Sequence, residues 1–227
     1  YVEGKNLAIE FRFADGKYER FPELAAELVR LNVDVIVTGG TPGTRAAKEA
    51  TATIPIVMTV TGDPVGSGLI ASLARPGGNI TGATYFDPEL TAKRFELLKE
   101  AVPRLAHLAA FVNPVNPQAM GTALQALQVA AKAKKVTLQL FEARGPNEFD
   151  NAFSAMAKKR VDAVEVVDDA MFIGNFKAIA KLAASKRLPS AGAPEFAEAG
   201  GLVGYGVNFE ATYNRAAYFI DKIFKGA

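Results

Sequence analysis

The 227-residue sequence predicts an α/β protein of two doubly wound parallel-sheet lobes joined by a hinge. Three observations carry that expectation. Apolar β-branched runs alternate with helical periodicity almost from end to end, the pattern that forces parallel strands with helices on both faces. The turns between them are short and rich in Gly, Pro, Asn and Asp, as strand-to-helix connections require. The alternation breaks once, at 83–88, where a Gly-containing strand runs into "FDP" and a new βα series begins. Two sheets therefore accommodate the strands better than one.

In chain order, strands are expected at 6–14 ("NLAIEFRFA"), 33–39, 54–60, 79–85, 107–113, 136–143, 161–167, 188–192 and 201–207. Helices are expected at 20–32, 42–52, 65–74, 89–102, 117–134, 147–159, 170–186 and 209–225. Thr41 before Pro42, Asp63 before Pro64, Asn116 before Pro117 and Asp169 before Ala170 are good N-cap residues, and proline suits the first helical position. In "SLARPGGNITG", 72–82, Pro76 cannot continue the helix expected at 65–74, and Gly77 and Gly78 supply the backbone freedom for a reversal into the next strand.

Composition narrows the chemistry. With 26 basic and 24 acidic residues in scattered positions and a formal net charge of +2, no nucleic-acid footprint is visible. No run approaches the roughly 18 apolar residues of a membrane span, so direct membrane insertion is not expected. The chain has no cysteine, which removes thiolate nucleophiles, disulfides and zinc–thiolate sites. Its one histidine, His107, opens a strand, at the wrong end for a Ser/His/Asp relay. Asp168 and Asp169 are adjacent on a loop with no His or Glu at ligand spacing, so a metal is not expected. No catalytic residue and no cofactor follow from this.

"GSGLIA", 66–71, matches a relaxed dinucleotide fingerprint, and Asp87 lies 21 positions beyond Gly66. Against that reading, residues 61–65 intervene between strand and glycines, and the expected Asp63–Pro64 cap would bury Gly66 and Gly68 in a first helical turn. No G-x-x-x-x-G-K-[ST] is present, and the sequon at Asn79 leads into an apolar strand. Ligands of open parallel sheets collect beyond the carboxyl ends of strands, where helix N-termini offer unpaired N–H groups. The loops at 38–44, 60–65, 112–118, 166–171 and 190–196 are the candidates. The opening "YVEGKNLAIEF", without an initiator Met or an apolar leader, suggests a fragment whose leader and first strand are absent.

The stretches "LAAELVRLNVDVIVTGGTPGTRAAKEATATIPIVM", "DPVGSGLIASLARPGGNITG", "ELTAKRFELLKEAVP", "NPVNP" and "AEAGGLVGYGVNFEATYNRAAYFIDKIFKGA" together resemble the solute-binding proteins of bacterial ABC importers, in the group with tryptophan- and tyrosine-binding members. The resemblance implies a type I periplasmic-binding fold, truncated at both ends, with a small solute between two lobes and a membrane permease as partner. It implies a periplasmic or lipid-anchored location outside the cytoplasmic membrane. Mapped onto that fold, the N-terminal lobe is 1–83 plus 208–227, the C-terminal lobe 84–207, with crossings near Tyr85 and Gly206. Thr41 and Thr61, with Asp63 nearby, would suit an amino acid's carboxylate. Asp168, Asp169 or Glu195 would suit an ammonium, Asn113 and Asn116 would orient polar edges, and Tyr205 would stack on an aromatic portion. Two competing readings stay open: the effector domain of a transcription regulator on the same fold, and a nucleotide-dependent oxidoreductase.

Overall fold

The computed structural model describes residues 1–85, 87–116 and 119–226. Two separate, wholly parallel sheets organise them. The first has the order β1 (Ile36–Thr38), β2 (Ile56–Thr61), β3 (Ile80–Thr84). The second runs β5 (Thr137–Glu142), β4 (His107–Val112), β6 (Ala163–Val166), β7 (Ser190–Gly192), β8 (Val203–Gly204). Sheet order departs from chain order only at β4, which the next two strands flank.

Period-2 alternation explains how the second sheet is covered on both sides. Leu108, Ala110 and Val112 of β4 join the core under α3 (Asp87–Ala101) and α4 (Leu124–Ala133). Ala109 and Phe111 join the opposite core, under α5 (Phe149–Lys158), α6 (Ala170–Ile173) and α7 (Phe176–Ser185). There Phe111 stacks on Phe172 at 4.4 Å and meets Phe149 and Phe153 edge-on. In the first sheet, Ile36, Ile56, Met58 and Ile80 share a core with Ala47 of α2 (Thr41–Ala50), while Leu28 and Val29 of α1 (Phe21–Arg30) pack against it. After α8 (Pro194–Glu198) and β8, the chain returns to β2 and β3 as α9 (Phe209–Phe224). Asn208 caps α9 by accepting from Ala211 N–H at 2.8 Å.

The chain therefore passes between the sheets after β3 and again before α9, and the two passages touch. The ring of Tyr85 meets that of Phe209 edge-on at 5.5 Å, and Glu195 Oε1 accepts from Phe209 N–H at 3.1 Å.

Four expectations need correction. Residues 6–14 form no strand: only an isolated bridge between Glu3 and Leu7 occurs there, and Ile9, Phe11 and Phe13 are exposed. The alternation is real, but β-propensity expresses fit to a pleated surface, and this segment docks on neither outer edge of the first sheet, β1 or β3.

Residues 65–74 form no helix. Asp63 Oδ1 accepts from Gly66 N–H at 2.8 Å, Gly68 takes φ +70°, and the reversed backbone drops Leu69 and Ile70 into the first core. A left-handed glycine diverts a path that helical propensity alone would continue. The "RPGG" stretch consequently ends a series of turns rather than a helix, with Ala71 N–H donating to Pro76 O at 2.9 Å before β3 begins.

The helix expected at 170–186 breaks at Gly174 and Asn175 into α6 and α7. Of the helix expected at 117–134, Pro117 and Gln118 lie outside the described residues. The rest begins with a π-helical turn, Ala119–Ala123, kinked at Gly121, ahead of α4.

Candidate functional site

Loops after β1, β4 and β6 converge from the two sheets on a cavity of about 90 Å³, with Val60 of β2, Tyr85, Tyr18 and Tyr213 completing its wall. Each loop reaches it for a local reason. In "TGGTPGT", Gly40 adopts φ +81°, a conformation costly for any side chain, and so turns β1 into α2. Thr44 then secures the turn, both its N–H and its hydroxyl donating to Gly40 O, at 3.2 and 2.8 Å. Gly40, not Thr41, occupies the N-cap position; Thr41 is the first helical residue and lines the cavity with Pro42.

Asp169 is the hub on the other side. Its Oδ1 accepts from Met171 N–H at 3.0 Å, capping α6 as the sequence suggests, and from Asn113 Nδ2 at 3.1 Å. Its Oδ2 accepts from Asn116 Nδ2 at 2.9 Å, and Tyr18 Oη lies 3.0 Å from both oxygens, from the short 3-10 turn, Tyr18–Arg20, that leads into α1. Burial raises the Asp169 pKa above the ordinary carboxylate value, against the opposing effect of those donors. Burial first, and the neighbouring Asp169 charge second, push the Tyr18 phenol far upward, so it remains a neutral donor.

Asp168 differs from its neighbour. It is 2% exposed, and its Oδ2 accepts from Arg94 Nη2 of α3 at 2.6 Å. Oδ1 is buried with no partner among the described residues, and Asp168 borders the cavity. Arg94 also donates from Nε to Tyr205 O at 2.6 Å, tying the ion pair to the second passage between the sheets.

The remaining expected residues divide. Thr41, Asn116, Asp168 and Asp169 line the cavity, and Asn113 reaches it through Asp169. Thr61 is fully buried and its hydroxyl has no partner among the described residues, yet it is not part of the wall. Asp63 serves the 63–66 turn, and Glu195 holds the start of α9. The Tyr205 ring is 41% exposed and away from the wall; only its backbone engages the network.

Four contributors escaped the sequence reading: Tyr18, Tyr85, Tyr213 and Arg94. Burial raises the Tyr213 pKa, and Thr59 bonds its hydroxyl. Arg94 carried a readable signal, because Leu90, Arg94 and Leu98 recur at helical spacing and so share the buried stripe of α3.

A second cavity, of about 580 Å³, adjoins the first and shares Tyr18, Thr41 and Pro42 with it. It lies between α1 and α2 on one side and residues 115, 121 and 122 on the other. Gly66 and Ser67 border it, but the helix whose N-terminus would hold a pyrophosphate beside Gly66 does not form. A Cβ at Gly66 would run into the Asp63 carboxylate, so the glycine serves a turn and its acidic lock. Asn79, of the sequon, spends its amide on the carbonyls of Thr51 and Ile54, at 3.1 and 2.8 Å. Among the described residues, no group of three or more His, Cys, Asp or Glu stands ready for a metal, and no helix is long and apolar enough to cross a membrane.

Two parallel α/β lobes with strand-end loops facing a shared cavity define a protein of the type I periplasmic-binding class. The chain belongs to the ABC transporter substrate binding protein family, whose model matches residues 1–227. It is 27% identical over 230 residues to the tyrosine-binding protein of Clostridioides difficile (strain R20291), a match covering 100% of this chain and 65% of that protein. This chain thus spans less than two thirds of that relative's length.

Among solved structures, the ABC domain in complex with L-Trp from Streptococcus pneumonia superposes with a TM-score of 0.87 at 24% identity, covering 99% of this chain and 75% of that one. The ligand-free, open structure of a substrate binding protein with adhesive properties from Clostridium difficile gives 0.62 at 26% identity, covering 100% of this chain and 76% of that one.

Proposed function

We propose that this chain is the solute-capturing component of a bacterial ABC importer. It works outside the cytoplasmic membrane, periplasmic or lipid-anchored. Its lobes, 1–83 with 208–227 and 84–207, close around an amino-acid-like solute, aromatic ones favoured, and deliver it to a membrane permease. The observation that carries this reading is Asp168: a buried carboxylate with one oxygen committed to Arg94 and the other unmet, at a cavity whose wall also includes the N-terminal turn of α2. An ammonium complements the unmet oxygen, and a carboxylate complements the positive end of a helix dipole.

The higher similarity to the L-Trp-bound structure than to the open one, at nearly equal identity, supports a closed arrangement of the lobes. The name of the C. difficile relative supports the solute class. Closure of this kind couples binding to a shape a permease can read, because a solute touching both lobes stabilises only the closed form.

Thermal-shift screening against L-tyrosine, L-tryptophan, 4-hydroxybenzoate, glucose and NAD tests the proposal. A ligand at one hundred times its Kd adds about 2.7 kcal/mol of stability, so the aromatic amino acids are expected to raise Tm clearly. A rise with NAD or glucose and none with amino acids overturns the reading.

A further inference from the structure

The two cavities differ in size by more than the head group of an amino acid requires. The inner one, of about 90 Å³, is well below the roughly 300 Å³ at which complete small-molecule pockets begin, and suits a head group better than a whole solute. The wall shared among the described residues, Tyr18, Thr41 and Pro42, leads to the outer cavity of about 580 Å³, a volume typical of a complete small-molecule pocket.

The outer wall is mostly apolar. Phe21 and Pro22 of α1, Pro42 and Ala46 of α2, and Val115 from the second lobe supply it, so bulk placed there touches both lobes. One aromatic ring fills only part of that space.

We propose that the outer cavity is a second subsite, which accepts apolar bulk attached to the far end of an aromatic amino acid's side chain while the inner cavity holds the unmodified head. Ring-extended aromatic amino acids are then ligands, and derivatives at the ammonium are not. Tyr18 is the partition: held by Asp169, its ring stands where head and side chain meet. The inference rests on the amino-acid reading above and adds a direction to it, with tolerance at one end of the solute and none at the other.

Calorimetric titration of the full chain with L-tyrosine, O-benzyl-L-tyrosine and N-acetyl-L-tyrosine tests it. O-benzyl-L-tyrosine is expected to bind within about threefold of L-tyrosine, and N-acetyl-L-tyrosine about a hundredfold or more weaker, because burying an unpaired Asp168 against an amide forfeits a charged partner. Val115→Trp and Glu49→Trp replace exposed residues of the outer wall that take no part in the inner one. Each should weaken O-benzyl-L-tyrosine by about tenfold or more and leave L-tyrosine within about threefold, as filling a cavity excludes its occupant. If L-tyrosine binds and its O-benzyl ether is a hundredfold weaker, the subsite is refuted and the amino-acid reading stands. If the ether binds and neither variant weakens it, the tail lies elsewhere and the subsite is again refuted. If no amino acid binds, the function proposed above falls and takes this inference with it.

Discussion

Adjacent aspartates perform different physical tasks in this protein. Asp169 spends both oxygens on donors from two lobes and a helix cap, whereas Asp168 uses one oxygen to neutralise buried Arg94 and leaves the other, proposed above to meet the solute, without a partner among the described residues. Asp168→Asn should therefore weaken L-tyrosine by about tenfold or more while leaving its desamino analogue, 3-(4-hydroxyphenyl)propanoate, nearly unaffected. The same change should cost about 3–5 kcal/mol of stability in a denaturant titration, because buried Arg94 loses the carboxylate charge it meets at 2.6 Å.

Asp169 carries a pH signature of the opposite kind from a surface ion pair. Its folded pKa is raised, so between the ordinary carboxylate value of 3.8 and the folded value the native state binds more protons than the unfolded chain. The contribution of Asp169 to stability is therefore most favourable below that window and declines as pH rises through it. The stability of the wild type minus that of Asp169→Asn, followed by Tm, should shrink with rising pH across the window; a difference that grows would contradict the burial argument.

Elements of this fold are decided by backbone geometry as often as by periodicity. Gly82 in β3 has φ +137°, and a Cβ there would collide with the backbone of Met58 on β2, beside the register shift between Met58 and Thr61. Gly82→Ala should destabilise the protein by about 1–3 kcal/mol or more from conformational strain alone, read as a shift in urea midpoint with unchanged slope. The Phe111–Phe149–Phe153–Phe172 cluster behaves differently, since it binds β4 to α5 and α6 through packing.

Helices and strands of strong periodicity were legible: α1, α2, α3, α5, α9 and β2 through β6 fall where the pattern puts them, within the usual boundary error. The misjudged stretches, 6–14 and 65–74, share a cause. In each the right local pattern is overruled by what lies beyond it: 6–14 docks on no sheet edge, and the path of 65–74 is diverted at Gly68.

At the scale of the molecule, the Tyr18–Asp169 contact joins the segment ahead of α1 to the loop after β6, and under the proposed function it contributes to closure. A hydrogen bond to a charged group is worth about 1.5–3 kcal/mol, so Tyr18→Phe should shift the solute-free protein toward a more open ensemble. Small-angle scattering reads this as a larger radius of gyration than wild type without solute, converging with wild type at saturating L-tyrosine. Equal values in the solute-free state would show that Tyr18 does not help to hold the lobes together.

The sequence by itself determined that parallel sheets are flanked by helices, that strand-end loops carry the polar residues, and that the 227 residues hold no cysteine and a single histidine. Those properties follow from residue type and spacing, which act locally. Only the tertiary structure decided that Asp169 is saturated while Asp168 is not, that Arg94 is buried, that Tyr205 faces outward, and that three tyrosines distant in sequence meet at one cavity. Hydrogen-bond capacity and burial depend on which loops the two sheets bring face to face, and no window along the chain contains that information.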